Sequence, residues 1–441
     1  MEILKKIDGL FITPVSDGAD LQNRILCDEL PFKVIRYPSG KEFNGWVVPK
    51  KWEVLKAEIK KNNRLIYDGT KHPLGVMGYS ESFQGKVPLE DLKKHLYFFK
   101  DAPDNIIYHC DLYYKPHLKL WGFSVPYNFF KNLKGGIYEI NLQTKHSRGE
   151  MKVLEYEHKG KSREAIILNA HNCHAAQLND GPAGYVAFIE AMKRLKGRKT
   201  RYTYRLVIAP EHLGTVFYLA GLDEKTIKNF KLGIFMEMIG HSNPGFSLQE
   251  SFTGKSLIDK IAHHVLKFYA KRYWNAPFRS FLGNDECVWE APGYEVPMIS
   301  LSRCESRDLL YPQYHLDSDN LKIMREDKLE ETVKIILQII DVLEKNCMLK
   351  RKFSGLIALS NPKYNLYISP GDPAIRDMEN MPDRFKWNDL MNHAFRYFDK
   401  NISILDIAIK HSLPFGIVYD YFVKFKEKGL IDFVYDDQFK N

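Results

Sequence analysis

The chain has no closely spaced cysteine pair. Its six cysteines, Cys27, Cys110, Cys173, Cys287, Cys304 and Cys347, are scattered over 441 residues without a single C-x-x-C. In a chain of this length that argues against a disulfide framework and predicts reduced thiols, hence a cytoplasmic protein. No stretch approaches the ~18 apolar residues that a membrane helix needs. The N-terminal "MEILKKIDGLFITPVSDGAD" has neither a long apolar core nor a small-residue cleavage site, so neither a secretory signal nor a membrane partner is expected. Internal repeats and low-complexity tracts are also missing, which sets aside solenoid and disordered architectures.

What is present is the composition of a soluble globular protein. Hydrophobic residues make up 44% and charged residues 27%, and the length suits two or three domains. The formal net charge of +9 favours acidic partners. Many lysines, however, sit in helical patterns such as "KLEETVKIILQIIDVLEKN" and read as solvated faces, so the charge does not by itself select nucleic acid.

Residues from about 40 to 160 read as β-rich, on aromatic and β-branched runs such as "DNIIYHCDLYY", "LKLWGFSVP" and "GGIYEINLQ". From about 160 the pattern becomes strand, helix, strand. "REAIILNAH", "TYRLVIAPEH", "KLGIFMEMIG" and "VPMISLSR" are buried-strand candidates. "GPAGYVAFIEAMKRLKG" is a helix with Pro182 in its first turn and Asp180 or Gly181 as its cap. Such alternation predicts an α/β sheet covered on both faces. Residues 360–387 read as a linker, and "ISILDIAIKHSLPFGIVYDYFVKFKEKGLIDFVYDD" has the helix, turn, helix, strand outline of a winged helix. The expected division is a catalytic domain at 1–40 and 110–350, an inserted β-rich subdomain at 41–109 and a winged helix at 385–441.

The strand candidates end in residues that bind metals. The first ends in His171, with Asp180 just beyond; the second ends in Glu211 and His212; the third carries Glu237; and "LYPQYHLDSDN" adds His315. Ligands of open α/β sheets bind at the C-terminal strand edge, so these six residues can converge there, and imidazole with carboxylate suits zinc. Each has a simpler reading alone. Asp180 fits a helix cap, and a single His fits a hydrogen-bonded loop. Glu237, flanked by apolar residues, needs a partner if buried. The joint occurrence carries the inference.

The ordered set "AH…NDGPAG…PEHLG…MEMIG…YHLDSDN" resembles the dinuclear zinc aminopeptidases of the bacterial leucyl aminopeptidase type. The whole chain more closely resembles aminopeptidase-like proteins that carry a β-rich segment near the N-terminus and a C-terminal winged helix, and that are associated with surface-polysaccharide biosynthesis. "GWVVPKKWEV", "GYSESF", "WGFSVP", "HNCHAAQLNDGPAG", "PEHLGT", "GNDECVWEAPGYEVP" and "SLPFGIVYDYFVKFKEKGLI" carry this likeness. The resemblance implies a mixed sheet sandwiched by helices, with the β-rich insertion and the winged helix appended. It implies two zinc ions bridged by Asp180, one completed by His171 and Glu237 and the other by His212 and His315, with Glu211 as general base. His212 stands where the family has the second Glu of a pair.

The substrate implied is a peptide or small amide; an amidohydrolase acting on an amino-sugar or sugar-linked amide is the alternative. His174, Asp285, Glu286, Arg303 and Tyr314 are assigned to substrate, the two carboxylates to its amine and Arg303 to an anion. A Cys173–His174 nucleophile pair is set aside, because adjacent side chains on an extended segment diverge. His263 and His264 sit in a helical pattern and read as structural. The aromatics of "PFGIVYDYFVKFKEKG" give the winged helix an interaction role, such as homo-oligomer formation, over nucleic-acid binding. A binding or scaffold protein without catalysis is the rival class.

Overall fold

A computed structural model describes residues 1–367 and 384–435. They fall into two compact units, one of residues 1–254 and 273–334, the other of residues 255–272 and 335–441.

The first unit is built on an eight-stranded mixed sheet. Its strands are β1 (Lys33–Pro38), β2 (Glu150–His158), β3 (Ala165–His171), β4 (Thr203–Ala209), β5 (Phe230–Met236), β6 (Phe246–Gln249), β7 (Tyr273–Ala276) and β8 (Met298–Ser302), in the order β1-β2-β4-β3-β5-β8-β6-β7. The four strands foreseen from apolar runs, β3, β4, β5 and β8, are neighbours and mutually parallel. Parallel central strands are covered on both faces and read as unbroken apolar runs; every residue of β3 is buried. Register aligns their ends, with His171 opposite Ala209 and Met236 opposite Leu301. The residues that follow each strand therefore leave the sheet at one edge.

Two helices shape that edge. α1 (Pro182–Leu195) follows β3, and α2 (Leu213–Ala220) follows β4. Gly181, at φ +95, is the cap residue of α1, and no side chain caps it. The Asp180 carboxylate is thereby free of the capping role that its position suggested. α1 also lies very close to the end of β5: a Cβ added at Gly184 would stand 2.0 Å from the Met236 carbonyl oxygen.

The β-rich segment forms a four-stranded antiparallel sheet from residues 51–61, 64–68, 83–88 and 137–147. Its central pair joins 51–61 to 137–147, so the segment runs well beyond the expected limit at residue 109. Its core gathers Trp52, Phe123, Tyr138 and Leu142.

In the second unit, helices Ile404–His411 and Phe415–Glu427 precede strand Ile431–Val434, which pairs antiparallel with Met348–Arg351. Ser403 and Asp406 form a reciprocal capping box at the first of these helices. Most of the linker expected at 360–387 and the last six residues of the chain lie outside the described residues. No helix of the described residues is long and apolar enough to cross a membrane.

Candidate metal centre

Three imidazoles and three carboxylates meet where the parallel strands end. His171, the last residue of β3, brings Nε2 to 3.2 Å from Asp180 Oδ1 and 2.8 Å from Glu237 Oε2. On the other side of Asp180, Oδ2 lies 3.1 Å from His174 Nδ1 and 3.1 Å from His315 Nε2. His174 Nε2 reaches Glu211 Oε2 at 3.1 Å. His171, Asp180 and Glu237 are each at most 1% exposed.

Two triads can each hold a cation, His171–Asp180–Glu237 and His174–Asp180–His315, and they share Asp180. A third group joins His171 and His174 to the buried thiol of Cys173. The Cys173 sulfur also accepts the Glu211 backbone N–H at 3.3 Å.

Electrostatics point the same way. Burial raises Glu237 to about 7, against the lowering pull of His171. Burial also opposes ionisation of Asp180, but the charge on His174 and the imidazoles around it hold this carboxyl well below the usual range. Glu211 is likewise pushed up by burial, and the His174 hydrogen bond and charge outweigh that and bring it to about 2. Both His171 and His174 are raised well above 6.5 despite burial, His171 chiefly by its bond to Asp180 and His174 by the Asp180 charge. The buried acids thus draw positive charge into a place where, among the described residues, no Lys or Arg forms an ion pair with them. A divalent cation would replace those protons, and the donor set is that of zinc.

Supporting residues fix the donors. Asp319, fully buried, accepts from the backbone N–H groups of Asn179 (2.8 Å) and Asp180 (3.1 Å) and from the Tyr311 hydroxyl (2.7 Å). Asn284 donates to Glu237 Oε1 at 2.5 Å. The Tyr114 hydroxyl, from the β-rich segment, donates to Glu211 Oε2 at 2.9 Å. Tyr314 stacks on His315 with centroids 3.9 Å apart.

Some expected residues lie elsewhere. His212 is not part of either triad. Its backbone sits at φ +51, and its ring lies 6.1 Å from that of Trp46, centroid to centroid. His174, assigned to substrate, stands beside Asp180 and forms one of the triads with it and His315. Asp285 accepts the His212 N–H and the Thr215 hydroxyl at the start of α2, a local structural task. Glu286 is buried and accepts from Gln249 and the Asn284 N–H. Arg303 is fully buried over Phe246 and paired with Glu331 at 3.0 Å; its charge is already matched. His263 and His264 are on helix Leu257–Tyr269. Of the residues that sequence reasoning missed, Asp319 lay within the quoted "YHLDSDN" and Asn284 within "GND"; Tyr114 carried no signal.

Comparison with known proteins places the chain in a family and a fold. Residues 11–346 match the family described as Domain of unknown function (DUF4910). A Clostridium acetobutylicum protein is 30% identical over 422 residues, 94% of this chain and 92% of its own. It is named, provisionally, as a polysaccharide biosynthesis protein with an aminopeptidase-like domain. A crystal structure from the same organism, provisionally called a peptidase, superposes with a TM-score of 0.81 at 26% identity and covers 98% of this chain and 95% of that one. The zinc aminopeptidase of Bacillus subtilis gives 0.57 at 11% identity over 77% of this chain and 94% of its own. An Aneurinibacillus aminopeptidase gives 0.51 at 12% identity over 78% and 92%. At these identities the two aminopeptidases speak for the fold. The chain thus belongs to the DUF4910 family and has the fold of the zinc aminopeptidases.

Proposed function

We propose that the protein is a metal-dependent amide hydrolase of the aminopeptidase type. The observation that carries this is the Asp180 carboxylate, with one oxygen toward His171 and the other toward His174 and His315. Asp180 would bridge two metal ions, with His171 and Glu237 on one side and His174 and His315 on the other. This arrangement replaces the expected His212 by His174. Zinc ions held there would polarise an amide carbonyl and make a water acidic enough to ionise near neutral pH.

The chain's own residues would do the rest. Glu211 would take the water proton and deliver it to the leaving amine. Its Oε2 is held by Tyr114 and His174, and its Oε1 has no protein hydrogen bond among the described residues, so Oε1 is the atom open to a proton. Asn284 holds Glu237, and Asp319 fixes the Asn179–Asp180 backbone, so that both carboxylates keep their direction before substrate arrives. A second reading, hydrolysis of an amide attached to a sugar, draws on the polysaccharide role in the relative's name.

Metal analysis of purified protein together with Glu211→Gln tests the proposal. About two zinc ions per chain are expected. The variant should keep its metal and lose roughly 10²–10⁴-fold in amide hydrolysis. If protein reconstituted with zinc still binds no stoichiometric metal, the hydrolase reading ends.

A further inference from the structure

The β-rich segment walls a second cleft, of about 480 Å³, a size suited to a small ligand. Stretches far apart in sequence converge on it. Tyr79 and Leu112 give it an apolar lining, while Lys50, Lys119, His146 and Arg148 give it cationic or protonatable groups. Glu81 is the one carboxylate among its described lining residues. Glu81 is already engaged, with Lys119 at 2.7 Å and His146 at 3.9 Å. Lys50 and Arg148 are exposed, and neither forms an ion pair among the described residues. The balance of Lys50, Lys119 and Arg148 against Glu81 leaves two positive charges over an apolar lining, and an anion is what complements that.

Two chain segments that line the cleft also reach the metal centre. Val47, Leu112 and Pro116 line the cleft; Trp46 precedes the first and Tyr114 lies between the other two, and their rings meet edge to face at 6.1 Å. Tyr114 is the residue that holds Glu211.

We propose that this cleft binds an anionic group, a carboxylate or a phosphate, carried by the substrate at a distance from its scissile amide. The inference rests on the hydrolase reading for what the cleft serves, but the binding itself is measured without turnover. Calorimetry on the full chain would compare uridine diphosphate with uridine, and digalacturonate with its neutral methyl ester. At least one acidic probe should bind tenfold or more tightly than its neutral counterpart and weaken as salt rises. The Lys50→Ala/Arg148→Ala protein, checked for wild-type metal content and circular dichroism, should bind that probe about tenfold more weakly. Preference for the diphosphate assigns the anion to phosphate, and preference for digalacturonate to a sugar carboxylate. The proposal is overturned if neither acidic probe outbinds its neutral partner, or if the double variant binds as the wild type does. Neither outcome touches the metal content or the Glu211→Gln result, so failure of the cleft and failure of the hydrolase reading are distinguishable.

Discussion

Asp319 makes no direct contact with the donor atoms, yet it holds the backbone that aims Asp180. Asp319→Ala removes the acceptor of three buried donors: two backbone N–H groups and the Tyr311 hydroxyl. An orphaned buried donor costs about 1–3 kcal/mol. Entering water recovers part of that, so a loss near 4 kcal/mol is expected. Asp319→Asn keeps one acceptor oxygen and turns an NH₂ toward the remaining donors, for a loss near 2 kcal/mol. At roughly 2 °C per kcal/mol for a domain of this size, the melting temperature should fall by about 8 °C and 4 °C respectively. Metal affinity should fall about 10–100-fold in both, as for other residues that orient a ligand. Scanning calorimetry and competition with a chromophoric chelator read the two quantities separately. Wild-type behaviour of Asp319→Ala in both would show that the Asp180 loop is held by something else.

Other consequences are equally direct. Gly184→Ala places a methyl 2.0 Å from the Met236 carbonyl and should cost about 3 kcal/mol or more in urea unfolding. Gly197→Ala, at φ +83 in open space, should cost only about 1 kcal/mol; equal losses would contradict the close packing of α1 on β5. Burial holds His241 at about 4, below its unfolded value of about 6.5. The unfolded chain takes up that proton first, so stability should drain away as pH falls from about 6.5 to 4, by up to about 3 kcal/mol. His241→Gln, which keeps a donor for the Arg303 carbonyl, should flatten that part of the stability curve, and an unchanged slope would exclude His241 as its source. EDTA should lower the melting temperature of the wild type and leave that of Asp180→Asn unmoved, since a metal at a thousand times its Kd adds about 4 kcal/mol. A wild type indifferent to both EDTA and added zinc would carry no resident metal.

Legibility followed sequence distance. The four central strands are local apolar runs, and parallel strands must release their following residues at one edge, so the meeting of His171, Asp180, Glu237 and His315 could be read from order and type. His174 was assigned to substrate, and only the Cys173–His174 pair was treated as extended. The chain instead turns, with Ala176 at φ +46, and Cys173 and His174 both come within reach of His171. His212, also expected there from its place at a strand end, belongs to neither triad, and its own backbone is at φ +51. Strand 137–147 was legible within the β-rich stretch from about 40 to 160, but its pairing with 51–61, between distant stretches, is not announced by any local pattern.

The dependence of Asp180 on Asp319 has a bearing on biosynthesis. During translation, a chain that has emerged one residue past β5 already contains His171, Asp180 and Glu237, but the carboxylate that anchors the Asp180 turn and the imidazole of His315 have still to be made. On the proposed function, cation loading would therefore be a late event in maturation, and a growing polypeptide would pass most of its time on the ribosome without a finished cage to protect from adventitious ions.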